Sequence, residues 1–296
     1  MNRGVAYLLT AMTALFWGLS FVVLNKALDY VDEFQVLALR WTLASLLFGG
    51  LIVFRVIRID LRQPEWKYLL LTGILEPGIY SVFEIFGLSH TSPSVSSIFI
   101  ATIPTMTLLM EAVIWRARLS RRSVGSILLA FFGVMVFTVF SPAFQLGGSM
   151  RGYAYMMGAV VAGAVYTFAS KAASRAYGPL EITAVMAFVG TIVFNLVCLL
   201  RGHGMDTYTI CLSNGKLLAA ILFLGICCSS LCYIAFNKII AHIDAAMANN
   251  LVGNLTTAVG VAGGILFNRD PAGWFTVVGM LLTLVGVWMS SREVED

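Results

Sequence analysis

Ten apolar runs of about twenty residues, separated by short polar connections, decide what this chain can fold into. They lie at about 4–26, 34–54, 66–88, 93–115, 121–141, 151–171, 180–200, 216–238, 245–267 and 273–291. At 1.5 Å of rise per helical residue, runs of this length cross the roughly 30 Å hydrocarbon core of a bilayer. That core holds no water, so the backbone polar groups of each run have to be satisfied within the run, which makes it a helix. The expected fold is therefore an all-α integral membrane protein with ten transmembrane helices. Composition agrees, because only 11% of the 296 residues are charged and the mean hydropathy is +0.88, against about 25% charged in soluble domains. The first run follows Arg3, is too long for the apolar part of a signal peptide and is succeeded by more spans, so it reads as an uncleaved anchor.

The basic residues set the orientation. Arg3, Arg55, Arg58, Arg62, Lys67, Arg116, Arg118, Arg121, Arg122, Lys171, Arg175, Lys238 and Arg292 fall on one side of the alternating loops. Lys26, Arg40, Arg151, Arg201, Lys216 and Arg269 fall on the other. The positive-inside rule then puts both termini in the cytoplasm. The loop with Asp29, Asp32 and Glu33 faces outward, as does the longest polar connection, about Arg201 to Gly215. Because the net charge of +4 is spread over these short loops, no nucleic-acid partner is expected.

The chain also reads as duplicated. Gly18 to Lys26 sets against Gly163 to Lys171, His90 to Pro104 against His242 to Thr257 with a one-residue slip, and Leu119 to Phe137 against Ala272 to Met289. Dividing it into residues 1–144 and 145–296 gives five spans per half. Five is odd, so the second copy enters the membrane from the opposite side, the mark of an inverted repeat.

Within the third run, Leu75 to Thr91 carries two carboxylates. On a helix Glu76, Tyr80 and Glu84 fall at i, i+4 and i+8 and share a stripe. An acidic side chain costs about 2.5–3.5 kcal/mol at the centre of a membrane helix, so its presence points to function. The alternative is that both acids hydrogen-bond neighbouring helices while protonated. Pro77 lacks an N–H, leaves the Gly73 carbonyl without its helical donor and marks a hinge; Pro104, in the fourth run, is the second. Near comparable depth stand Trp17, Ser96, Ser97, Tyr166, Tyr233, Asn249 and Asn250, with packing aromatics and helix-gluing amides as the alternative reading. Arg40 opens its span beside the acidic outer loop, with Asp32 or Glu33 as the expected partner. Cys198, Cys227, Cys228 and Cys232 lie in apolar runs without histidines beside them, so packing is expected, with no metal and no cofactor.

Phe16-Trp17-Gly18, Arg40 in the second span, Pro104 inside the fourth, and Arg118-Leu119-Ser120 before a helix with Gly125 and Gly133 resemble the EamA-like branch of the drug/metabolite transporter superfamily. The resemblance covers essentially the whole chain. Ala117 departs from the glutamate often found there, Asp270 fills the corresponding place in the second half, and the proline expected near Thr257 is absent. The resemblance implies a ten-helix carrier working by alternating access, with its pocket between the repeats. The aromatic and carboxylate lining suits an organic cation or an amino acid's ammonium group, with protons as a coupling partner. A channel or a membrane-embedded enzyme is the alternative class, but neither a repeated pore motif nor clustered catalytic residues stand out.

Overall fold

A computed structural model describes residues 3–60, 62–115, 121–140, 150–242 and 245–292. Among the described residues the chain is all-helical. Its elements are α1 (Arg3–Ala27), α2 (Glu33–Val53), α3 (Trp66–Ser89), α4 (Pro93–Ile100), α5 (Ile103–Trp115), α6 (Arg121–Phe140), α7 (Met150–Ala173), α8 (Pro179–Leu200), α9 (Asp206–Ser213), α10 (Gly215–His242), α11 (Ala245–Asn268) and α12 (Trp274–Arg292). Among the described residues seven segments are long and apolar enough to cross a membrane: α1, α2, α3, α4 with α5, α7, α8 and α10. The rods α6, α11 and α12 carry shorter apolar stretches, Val124–Phe137, Leu255–Asn268 and Trp274–Gly286.

Local chemistry sets the helix ends. Asp32 caps α2 by accepting from the Gln35 N–H at 2.9 Å, while the Gln35 side chain accepts from the Asp32 N–H at 3.0 Å, a reciprocal box that satisfies two otherwise orphaned donors. Ser92 caps α4 with Pro93 at its first turn, and Asn214 caps α10, placements that suit each residue type. The connection after α8 was expected to be plain polar loop; it folds instead into α9, whose Thr207 accepts from the Gln35 side chain at 3.0 Å.

Loop contacts sort the connections into two faces. Asp32 approaches Arg201 at 3.8 Å and His203 at 3.6 Å, joining the start of α2 to the end of α8. Two crossings later, the Ser94 N–H at the start of α4 donates to Asp270 in the α11–α12 connection at 2.9 Å. On the opposite face the Tyr177 hydroxyl donates to the Asp60 carbonyl at 2.8 Å, and the Lys171 amine to that of Ile240 at 2.7 Å. Gly152, near the start of α7, packs on His90 and Thr91. Thus α7 begins on the Asp32 face, whereas α1 begins on the other.

Packing does not follow the order of the chain. One apolar core joins α2, α3, α8 and α10 with the end of α7 and the start of α11, around Trp41, Phe48, Met186 and Phe194. A second joins α4, the start of α5, α6, the start of α7, the later part of α11 and α12, around Ile98, Phe137, Met156 and Val261. Each core mixes early and late helices, and α1 and α7 run between the two.

In lipid, helices associate through close van der Waals fit, which small residues permit. The α6–α12 pair shows this: a Cβ on Gly286 would lie 2.5 Å from the Ala130 nitrogen and 2.8 Å from the Ser126 carbonyl oxygen. Both obstacles are backbone and cannot swing aside. Gly286→Val should therefore force the pair apart and cost about 1–3 kcal/mol, read as a lower thermal-unfolding midpoint of the purified protein. An unchanged midpoint would show that the two helices do not need this contact.

Candidate functional site

A cavity with about 720 Å³ of empty space, its mouth included, opens where the two cores meet. Its walls come from α1, α2, α3, the α4–α5 break, α7, α10 and α11. Most of the lining is apolar or aromatic, and into it project Arg40, Glu76 and Glu84.

The backbone of α3 explains how both acids reach one space. Ile74–Tyr80, with Pro77 inside it, winds as a π-helix, and the Ser81 N–H reaches five residues back to the Glu76 carbonyl. The proline is absorbed in a widened turn rather than leaving a simple kink. Such π segments are uncommon and gather at functional sites. A second one, Phe223–Cys232, interrupts α10 without any proline; there the Ser230 hydroxyl donates to the Gly225 carbonyl, five residues back, at 2.9 Å. At the other proline, α4 stops at Ile100 and α5 starts at Ile103 with Pro104 in its first turn. Thr102 seals the break by donating its hydroxyl to the Phe99 carbonyl at 2.7 Å.

Each charge has a defined set of partners. Glu84 accepts from the Tyr80 hydroxyl at 2.9 Å and faces Arg40 Nη1 at 3.9 Å. Arg40 donates from Nε to Ser229 Oγ at 2.8 Å, and its guanidinium carbon lies 5.6 Å from the centroid of the Trp41 ring. Glu76 is 2% exposed; its Oε1 accepts from the Tyr233 hydroxyl, while its Oε2 has no hydrogen-bond partner. Arg40 Nη1 likewise makes no hydrogen bond. Buried polar atoms are ordinarily satisfied. Glu76 Oε2, Arg40 Nη1 and Thr256 Oγ1, all on residues of the cavity wall, are exceptions, and Arg40 Nη1 has only the longer ion pair to Glu84.

The remaining candidates divide. Trp17 lines the cavity, donates from its indole N–H to the Cys228 carbonyl at 3.3 Å and meets Tyr233 and Phe236 edge-on. Tyr166, also in the wall, donates to Asn237 Oδ1 at 2.8 Å. Asn249 reaches the cavity and donates to the Thr167 hydroxyl at 2.9 Å. Ser96 and Ser97 lie elsewhere: Ser96 pairs with Thr91 at 3.2 Å and Ser97 packs on Gly260 of α11. The side chain of Asn250 is outside the described residues.

Arg40 requires a correction. Asp32 is engaged by Arg201 and His203 and caps its own helix, so it is not the partner of Arg40. Seven residues beyond Glu33, Arg40 sits about 10 Å inside the helix and meets Glu84 instead. Sequence reading also passed over Asn237, which gathers Tyr166, Ser170 and Thr183 at 2.8, 2.7 and 3.1 Å. Its only signal was an amide one turn after Tyr233 in an apolar run. Among the described residues no group of three potential metal ligands assembles. The thiols of Cys228 and Cys232 turn toward α1 and the carbonyls of Phe16 and Thr13 at 3.5 and 3.9 Å.

The sequence matches the model of the EamA-like transporter family twice, over residues 4–139 and 150–292. It is 27% identical to an uncharacterized transporter of Bacillus subtilis, YcxC, over 98% of this chain and 94% of that protein. It is 27% identical to an uncharacterized transporter of Archaeoglobus fulgidus, covering 97% and 99%. A probable terminal-alkyne amino-acid exporter of Streptantibioticus cattleyicolor is 23% identical, covering 95% and 92%. One crystal structure superposes over the whole of both chains with a TM-score of 0.71 at 17% identity, a likeness of fold.

Proposed function

The chain belongs to the EamA-like transporter family, and we propose that it is a secondary active transporter moving a small organic solute, cationic or amino-acid-like, across the cell membrane by alternating access. The observation that carries this reading is the burial of Arg40, Glu76 and Glu84 around one aromatic-walled cavity at the seam between two packing cores. Charges are expensive in that setting and are kept where a solute or ion passes. The Glu76 carboxyl suits an ammonium group, Arg40 an acceptor on the same solute in competition with Glu84, and the aromatic wall either a cation or an apolar side chain. The names of the relatives speak for transport rather than catalysis.

On this reading the chain crosses the membrane ten times, as two inverted five-helix repeats over residues 1–144 and 145–296. The opposite entry of α1 and α7 supports that arrangement, and the Lys and Arg distribution supports cytoplasmic termini. Pro77 and Pro104 serve as hinges, since both lie where helical bonding already departs from regularity next to the cavity. Protons couple the cycle through a buried carboxyl.

The test is direct. A thermal-shift screen of amino acids and organic cations on the purified protein selects ligands by the stabilisation that binding confers. The ligands found should then enter proteoliposomes saturably, and accumulate only under an imposed pH gradient. Unsaturable flux would make the protein a channel, and uptake indifferent to the pH gradient would remove the proton from the scheme.

A further inference from the structure

Two of the charged side chains in the cavity wall, Arg40 and Glu76, are held by the same helix. Ser229 accepts from Arg40 of α2, and Tyr233, four residues further along α10, donates to Glu76 of α3. Residues four apart share one helix face. A single face of α10 therefore grips two charges that come from the other half of the sequence. The Tyr233 ring cannot swing away, because Trp17, Trp41 and Tyr166 pack on it with centroids at 5.0, 5.8 and 6.3 Å. Ser229 is fully buried, stands in the π segment of α10 and is not part of the cavity wall. No solute in the cavity can touch it.

The two grips differ in what loosens them. The Tyr233 bond is strong to a carboxylate and weakens when Glu76 accepts a proton or meets a cation, since the charge assistance is lost. The groups facing Glu76 are Tyr233 of α10, Tyr166 of α7, Arg40 of α2, and Tyr80, Ser81 and Glu84 of α3. The Ser229 bond does not depend on that proton. Only a group that draws the Arg40 guanidinium away from Ser229, in competition with the Glu84 ion pair as well, loosens it.

We propose that Ser229 is a positioning residue whose hold on Arg40 keeps the empty carrier from cycling on protonation alone. It rests on the transport reading above. With both grips closed, α10 stays bound to α2 and α3. A proton on Glu76 releases the first grip and the second persists. A bound solute that engages both charges releases the two together, and only then does the carrier turn over.

The probe is the proton. Full-length protein is reconstituted into vesicles of phosphatidylethanolamine and phosphatidylglycerol enclosing a pH-sensitive dye, and a pH gradient is imposed without any solute. Wild-type vesicles should hold the gradient. A charge-assisted buried hydrogen bond is worth a population shift of about tenfold or more, so Ser229→Ala should raise the proton leak by about that factor. Ser229→Thr, which keeps the hydroxyl, should not leak, and Ser229→Ala combined with Glu76→Gln should be as tight as the wild type. A variant that was merely damaged would leak, if at all, without regard to Glu76.

A Ser229→Ala leak equal to that of the wild type overturns the proposal, as does a leak that survives the second substitution. Those failures are distinct from failure of the transport reading. In the first case wild-type uptake is still driven by the pH gradient; in the second that uptake is absent, and the clamp falls with it.

Discussion

Glu76→Gln is expected to abolish accumulation driven by a pH gradient, by at least about 100-fold, while exchange of bound solute across the membrane continues. Glutamine keeps the size of the side chain and an oxygen for the Tyr233 hydroxyl to reach, but it cannot gain and lose a proton. Glu84 is the less suited of the two acids to this exchange, because Tyr80 and Arg40 already occupy its oxygens, whereas Glu76 Oε2 is unengaged. A carboxyl that binds a proton in one state and a cation in another ties the two fluxes together, because ligands move an equilibrium only by their differential affinity for its states. The measurement is uptake into proteoliposomes with and without the gradient, set against counterflow with solute on both sides. If Glu76→Gln, Glu84→Gln and the double variant all accumulate solute with the wild-type pH dependence, the carboxylates are structural and coupling lies elsewhere.

Arg40→Ala should be the most destabilising substitution in the cavity wall. Arg40 is 3% exposed and Glu84 8%, so removing the guanidinium leaves a buried acid facing an emptied space, and breaking such a pair costs about 3–5 kcal/mol. The loss also frees Ser229. Arg40→Lys should not restore the wild type, because an ammonium lacks the planar fork that meets Ser229 and Glu84 from different nitrogens. Combining Arg40→Met with Glu84→Gln should recover most of the stability and none of the transport, because it removes both charges together. Thermal unfolding and uptake measured on the same preparations separate the two effects. An Arg40→Ala protein that unfolds within a degree of the wild type would show that the pair is not stabilising.

The helices were legible because their signal is length and apolarity, which neighbours do not alter. The apolar run 180–200 and the helix Pro179–Leu200 differ by a residue. Within the site, Glu76, Tyr80 and Glu84 were legible for a related reason: a charge in an apolar run is conspicuous wherever it points. Serines carry no such signal. Ser96, Ser97 and Ser229 all sit in apolar stretches, yet Ser96 turns to the Thr91 hydroxyl, the packing of α4 on α11 takes up Ser97, and Ser229, in the π segment of α10, meets Arg40. The partner of Arg40 is not legible in the same way: nearness in sequence points to the acidic loop, whereas about two turns of helix carry Arg40 past Glu33 to Glu84.

The mixing of early and late helices in each packing core bears on how the protein is made. Ser94 at the start of α4 closes on Gly264 and Asp270, residues that leave the ribosome about 170 positions later. At about 5–20 residues per second of synthesis that is a delay of roughly 10–30 s. For that interval the helices of the first half lack the close partners that α11 and α12 supply, as at Gly18 and Gly133. Glu76 meanwhile waits for Tyr233, and Arg40 for Ser229. The two halves are therefore each other's assembly partners, and a nascent chain stalled near its midpoint holds Arg40 and both acids without the two hydroxyls that α10 later brings to them.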